Sequence, residues 1–101
     1  MINSSMSVTE LFIRTLTKAQ RVALDRIATA IPPRCQTRTL VVLEHRGLIV
    51  GEQRSYPNAP NYKFIEYHVP VGVHVVWSRI CSEEYDALSP EERVALEAPD
   101  L

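Results

Sequence analysis

With 101 residues, 46% of them hydrophobic and 23% charged, the chain is long enough for one compact core and too ordinary in composition for a disordered or disulfide-stapled protein. No apolar run approaches the length of a membrane span, and the N-terminus lacks the basic-then-apolar order of a signal peptide, so a soluble, cytoplasmic, single-domain protein over residues 1–101 is expected. The net charge is only −1, but residues 14–63 carry nine bases against three acids (+6) while residues 64–101 carry two bases against eight acids (−6). Such a division directs one end toward an anionic partner and the other away from it, although solvated faces that happen to differ in sign produce the same tally.

Residues 1–6 are small and polar with two methionines, and are expected to fray. Ser7-Val8-Thr9-Glu10 fits a capping box and predicts a short helix to about Thr15. An extended arm is the alternative, because Phe12, Ile13 and the β-branched neighbours lower helix propensity. Thr17-Lys18-Ala19-Gln20 is a second capping box and opens a helix over 18–29, on which Ala23, Leu24, Ile27 and Ile31 form the apolar stripe. Pro32-Pro33 ends it in an extended link.

The stretch 37–46 reads as a helix stopped by Gly47. Gln36, Leu40 and Leu43 share its core face, Arg38, Val41 and His45 point away, and Arg46 lies near the negative end of the helix dipole. Leu48 to Gln53 then reads as a strand, 54–61 as a polar, proline-laden loop, and Tyr62 to Val69 as a second strand. Pro70-Val71-Gly72 turns the chain, and the β-prone run Val73 to Arg79 predicts a third antiparallel strand with Val73, Val75 and Trp77 on one face. Ser82 is read as the cap of a helix over 83–88, and Ser89-Pro90-Glu91-Glu92 as the start of a last helix running to about Ala98. The expected class is α+β, with a two- to three-stranded antiparallel sheet and acidic C-terminal helices.

Leu16-Thr17-Lys18-Ala19-Gln20, followed by Thr39-Leu40-x-x-Leu43-Glu44-x-Arg46-Gly47-Leu48-Ile49, resembles the first and recognition helices of the winged helix-turn-helix domain in small bacterial and phage transcriptional regulators. The resemblance covers residues 16–69 and leaves 70–101 as an added strand and acidic helices. It implies sequence-specific binding of double-stranded DNA in transcription regulation, with helix 37–46 in the major groove and loop 54–61 as the wing. In that reading Arg38, Thr37, Gln36 and His45 read or position on the groove, and Val41 meets thymine methyl groups. Arg34, Lys18, Arg21 and Arg54 hold phosphates. The protein would act as a homodimer through its acidic C-terminal helices, with Tyr85, Leu88, Val94 and Leu96 as apolar contacts.

Other readings of individual residues stay open. Val41 and Val42 put apolar surface on or beside the outward face, which suits a host or partner protein as well as DNA, so a protein-interaction module on the same scaffold is the rival. His45 is equally a solvated histidine. Tyr56 and Tyr62 either touch a sugar or pin the loop, and Trp77 reads as core. His68 and His74 flank the turn without an acid or cysteine at suitable spacing, so neither metal nor cofactor is expected. Cys35 and Cys81 read as free, partly buried thiols, with a single disulfide as the alternative. The acid pairs Glu83-Glu84 and Glu91-Glu92 suit helix starts, and nothing resembles a nucleophile elbow or a phosphate loop, so an enzyme is not expected.

Overall fold

A computed structural model describes residues 6–97. Among them the chain is α+β, with five helices and one two-stranded antiparallel sheet: α1 (Val8–Arg14), α2 (Lys18–Ala28), α3 (Thr37–His45), β1 (Val50–Tyr56), β2 (Ala59–His68), α4 (Val71–Asp86) and α5 (Pro90–Glu97). The fraying expected over 1–6 falls, apart from Met6, outside the described residues, as does the expected end of the last helix at Ala98.

Side-chain caps form at both predicted helix starts, but only the second is a complete box, because the Glu10 carboxylate binds Arg14 and Arg79 instead of the Ser7 amide. Ser7 Oγ accepts from the Glu10 amide at 3.1 Å, which favours α1 over an extended arm. At α2 the box is reciprocal: Thr17 Oγ1 accepts from the Gln20 amide, and Gln20 Oε1 from the Thr17 amide.

Helices α2 and α3 end in the same motif. In α3 the Leu48 amide donates to the Leu43 carbonyl and Gly47 to Glu44, with Gly47 at φ +73°. In α2 the Ile31 amide donates to Arg26 and Ala30 to Ile27, with Ala30 at φ +61°. This left-handed residue breaks the helical phase before Ile31. Ile31 was expected on the core stripe and is instead 48% exposed.

The core consists of Ile13 from α1, Ala23, Leu24 and Ile27 from α2, Leu43 from α3, Leu48 and Ile49 from the approach to β1, and Ile80 from α4. The last of these explains why the expected third strand does not exist. Residues 71–86 are one helix, and Val73, Val76, Trp77 and Ile80 recur at helical spacing, which turns Ile80 fully into the core. The β-branched valines favour a strand locally, but burial of this stripe against the other helices outweighs a preference of a few tenths of a kcal/mol per residue, of the order ~0.5. Pro70, at φ −57° and ψ 150°, stands at the N-cap instead of turning a hairpin. Ser82 lies inside this continuous helix and caps nothing.

Polar contacts lock α4 onto α1 and α2. Glu10, 6% exposed, accepts from Arg14 Nε at 2.9 Å and from Arg79 Nη2 at 2.6 Å, and Arg14 reaches Glu83 at 2.7 Å. On the other flank Trp77 Nε1 donates to Asp25 Oδ1 at 2.8 Å, and His74 Nε2 donates to the Ala28 carbonyl at 3.2 Å. Trp77, expected as core, is half-buried and packs on the core's margin. Hydrogen bonds to Arg14, and then to Arg79, hold the Glu10 carboxyl below the ordinary carboxylate range despite its burial.

The hairpin differs from the expected one at its tip. The strands continue through Tyr56 and resume at Ala59, so Pro57-Asn58 is a two-residue turn where a loop over 54–61 was expected. Register is regular from Val50↔His68 to Ser55↔Lys63, then shifts to Tyr56↔Ala59, which makes Pro60, Asn61 and Tyr62 bulge on β2. Tyr56 stacks against Phe64 with ring centroids 4.7 Å apart, and this contact extends order into a segment that composition marks as loop. The hairpin leans on the helical body mainly through β2 and α2. Accordingly the radius of gyration is 16.4 Å, against about 13 Å for a compact domain of this length.

Candidate nucleic-acid interface

The exposed side of α3 carries Thr37, Arg38, Val41, Glu44 and His45, while Leu43 is fully buried and Thr39, Leu40 and Val42 are half-buried. The two valines therefore separate: Val41 is 56% exposed, and Val42 turns partly inward. Gln36, expected on the core face, is exposed at the N-cap, where its side chain makes no capping bond. The first turn of α3 thus has no side-chain acceptor in place, and its amides add positive potential there.

A cleft of about 670 Å³ opens beside this helix start, between it and the first turns of α2. Ala19, Val22, Ala23 and Pro33 make its apolar floor, and Lys18, Arg34 and Gln36 supply its polar groups. Cys35 and Thr39 complete the lining, two residues that sequence reasoning did not connect with the site. Burial pushes the Cys35 thiol up, so it is neutral at this position near pH 7. Arg34 stands at φ +26°, where the link after Pro32-Pro33 turns into α3. The proline pair and this turn bring Arg34, sixteen residues beyond Lys18 in the chain, into the same cleft as Lys18.

Ion pairing divides the expected phosphate-binding residues into two groups. Arg21 is held at 2.9 Å by Asp25 and at 2.6 Å by Glu84 of α4, and these contacts raise its pKa further while lowering that of Glu84. Arg54 lies on the hairpin with Glu52 at 3.3 Å and Glu66 at 3.2 Å. Both arginines are thus neutralised by their own chain. Lys18, Arg34 and Arg38 have no carboxylate within ion-pairing distance among the described residues, and they gather at the N-terminal end of α3. The acidic end of the chain consequently cancels part of the basic end: Glu83 and Glu84 cover Arg14 and Arg21, which leaves Lys18, Arg34 and Arg38 as the unpaired cations around the start of α3, with Lys63 exposed separately on the hairpin.

The remaining singled-out residues find other partners. Arg46 lies 5.6 Å from the centre of the Phe12 ring and donates to the Phe12 carbonyl, tying α1 to the end of α3. His68 sits 3.4 Å from Glu52 while His74 is bonded to the Ala28 carbonyl, and no group of three metal-ligating side chains occurs among the described residues. Cys35 and Cys81 are both free thiols. Tyr62 is exposed on the bulge, whereas Tyr56 is occupied by Phe64. Arg93 donates to the Tyr85 and Asp86 carbonyls and covers the Tyr85 ring, so α5 is fastened to the end of α4, with Val94 and Leu96 exposed. No described helix is long and apolar enough to cross a membrane.

No known protein family, curated protein or solved structure matches this chain.

Proposed function

We propose that the protein binds double-stranded DNA through the exposed face of α3 and acts as a small transcriptional regulator of winged-helix type. The observation that carries this reading is the gathering of Lys18, Arg34 and Arg38 around the start of α3 without carboxylate partners among the described residues, while Arg14, Arg21 and Arg54 are neutralised. Three helices followed by a hairpin is also the element order of winged-helix domains, with α1, α2 and α3 as the helical set and the hairpin as the wing. In this assignment Lys18 and Arg34 hold backbone phosphate together with the amides of Thr37 and Arg38. Arg38, Val41 and His45 face the base edges, Arg38 being long enough for a guanine and Val41 apolar enough for a thymine methyl.

Titration of the protein against random duplex DNA at low and moderate salt tests it. Two phosphate-bound cations, Lys18 and Arg34, predict a slope of about −1.8 for log K against log salt, and removal of one of these charges reduces its magnitude by about 0.9. Arg38→Ala costs about 1–3 kcal/mol on a cognate site. Absence of any duplex binding at low salt with micromolar protein would refute the assignment. Exposed Val41 supports a second reading, docking of a host or partner protein on the same face, for which Val41→Asp abolishes capture of that partner while duplex binding is absent.

A further inference from the structure

Strand β1 has an unoccupied edge. The sheet order β1–β2 leaves the outer side of β1 without a partner strand among the described residues, and β2 is the strand that leans on α2. Edge strands are ordinarily blunted by proline, lysine or a bulge. The outer edge of β2 has such protection in Pro60 and in the bulge through Tyr62. Val50 to Tyr56 contains neither proline nor lysine and keeps regular register as far as Ser55.

The chemistry of this edge is self-complementary. Read antiparallel against itself about Gln53, Val-Gly-Glu-Gln-Arg-Ser-Tyr sets Glu52 opposite Arg54 of the second copy, Val50 opposite Tyr56 and Gly51 opposite Ser55. Val50, Glu52, Arg54 and Tyr56 alternate onto one face of the strand, and all four are exposed. Sliding the register by one pleat in either direction sets Glu52 against Glu52 or Arg54 against Arg54, so charge selects the central register. A second observation points the same way. Within one chain Glu52 lies directly across from Glu66, a like-charge pair, and Arg54 is the one arginine that serves both carboxylates, at 3.3 and 3.2 Å, with the His68 ring 3.4 Å from Glu52. The second copy would bring a second guanidinium to Glu52 and relieve that excess. It would also extend a two-stranded hairpin, marginal by itself, to four strands.

We propose that β1 pairs with β1 of a second copy of this chain, antiparallel about Gln53, to form a continuous four-stranded sheet across a two-fold axis. The interface is isologous and closes at the dimer. It uses a different surface from the α3 face of the nucleic-acid reading, whose contact residues Lys18, Arg34, Arg38, Val41 and His45 all lie off β1; the two share only the hairpin, which that reading takes as the wing.

Sedimentation of the full chain over a concentration series tests the proposal. The wild type shows a reversible monomer–dimer equilibrium. Glu52→Arg faces Glu66 favourably within its own chain, so the hairpin remains folded, yet it opposes Arg54 of the second copy twice across the axis and raises the dimer dissociation constant at least about tenfold. The charge-swapped double variant Glu52→Arg/Arg54→Glu restores the pairing and returns the dimer. Gln53→Cys, in a Cys35→Ser/Cys81→Ser background, forms a covalent dimer under air, because opposed residues bring their Cα atoms to about 4.5–5.5 Å. Ser55→Cys in the same background does not. A protein that stays monomeric at high concentration overturns the proposal, as does a dimer indifferent to Glu52→Arg, a double variant that fails to recover, or equal cross-linking at 53 and 55.

Discussion

The paired helix ends give a test in which one structural motif demands opposite signs from two substitutions. Gly47 and Ala30 occupy the same position of the same cap, at φ +73° and +61°. A side chain in this region costs about 1–2 kcal/mol through the clash of Cβ with the backbone, whereas replacing glycine by alanine restricts the unfolded chain and returns about 0.4–1 kcal/mol. A Cβ built on Gly47 meets nothing within 4 Å, so no packing clash adds to the balance. Gly47→Ala therefore destabilises by about 1 kcal/mol, equivalent to about 4–8 °C in Tm for a domain of this size. Ala30→Gly removes the same backbone penalty from α2. Its methyl group is exposed, so little burial is lost, and the protein gains about 0.5–1 kcal/mol. Thermal melts and urea titrations of both variants measure the pair. A neutral or stabilising Gly47→Ala, or a lower Tm for Ala30→Gly, would refute the assignment of these ends as left-handed caps.

Three further outcomes follow from packing and charge. Ile80→Ala removes the residue that α4 contributes to the core and costs about 2–5 kcal/mol by urea denaturation. If residues 71–86 were instead an edge strand, the loss would be much smaller. Gly51→Ala places a Cβ 2.9 Å from Ile65 Cγ2 and 2.9 Å from Tyr67 Cε1, so the hairpin must shift and stability falls by about 1–3 kcal/mol, read as a lower Tm. The carboxyls of Glu10, Glu84 and Glu92 are depressed below their ordinary value of 4.5, Glu10 chiefly by Arg14, Glu84 by Arg21 and Glu92 by the Ser89 amide. Their contribution to stability is thus complete above that value and is lost as pH falls through their lowered folded-state pKa values. Tm should be flat between about pH 6 and 8 as far as these groups are concerned and fall below about pH 4.5, more shallowly in Glu10→Gln; an equally steep acid limb in that variant would remove Glu10 from the account.

What the sequence determined by itself were the features whose causes lie within a few residues. The serine cap at Ser7, the capping box at Thr17, the glycine stop at Gly47, the apolar phase of Ala23, Leu24 and Ile27, and the existence of a hairpin after Ile49 all follow from side chain-to-backbone bonding or local periodicity. The outward direction of Arg38 and Val41 follows from the same periodicity. Only the tertiary structure decided the rest. The run from Val71 to Asp86 satisfies both strand and helix preferences locally, and the core that accepts Ile80 selects the helix. Tyr56 and Phe64 are eight residues apart, and their stacking converts an apparent loop into strand. The partition of the cations was equally hidden: Glu84 lies 63 residues beyond Arg21 and Glu83 lies 69 beyond Arg14, so no local pattern could reveal which positive charges the chain neutralises. Charge along the sequence identified a basic half, and the packing of α4 across α1 and α2 withdrew Arg14 and Arg21 from it while leaving Lys18, Arg34 and Arg38 unpaired, because ion pairs depend on distance in space and not on order in the chain.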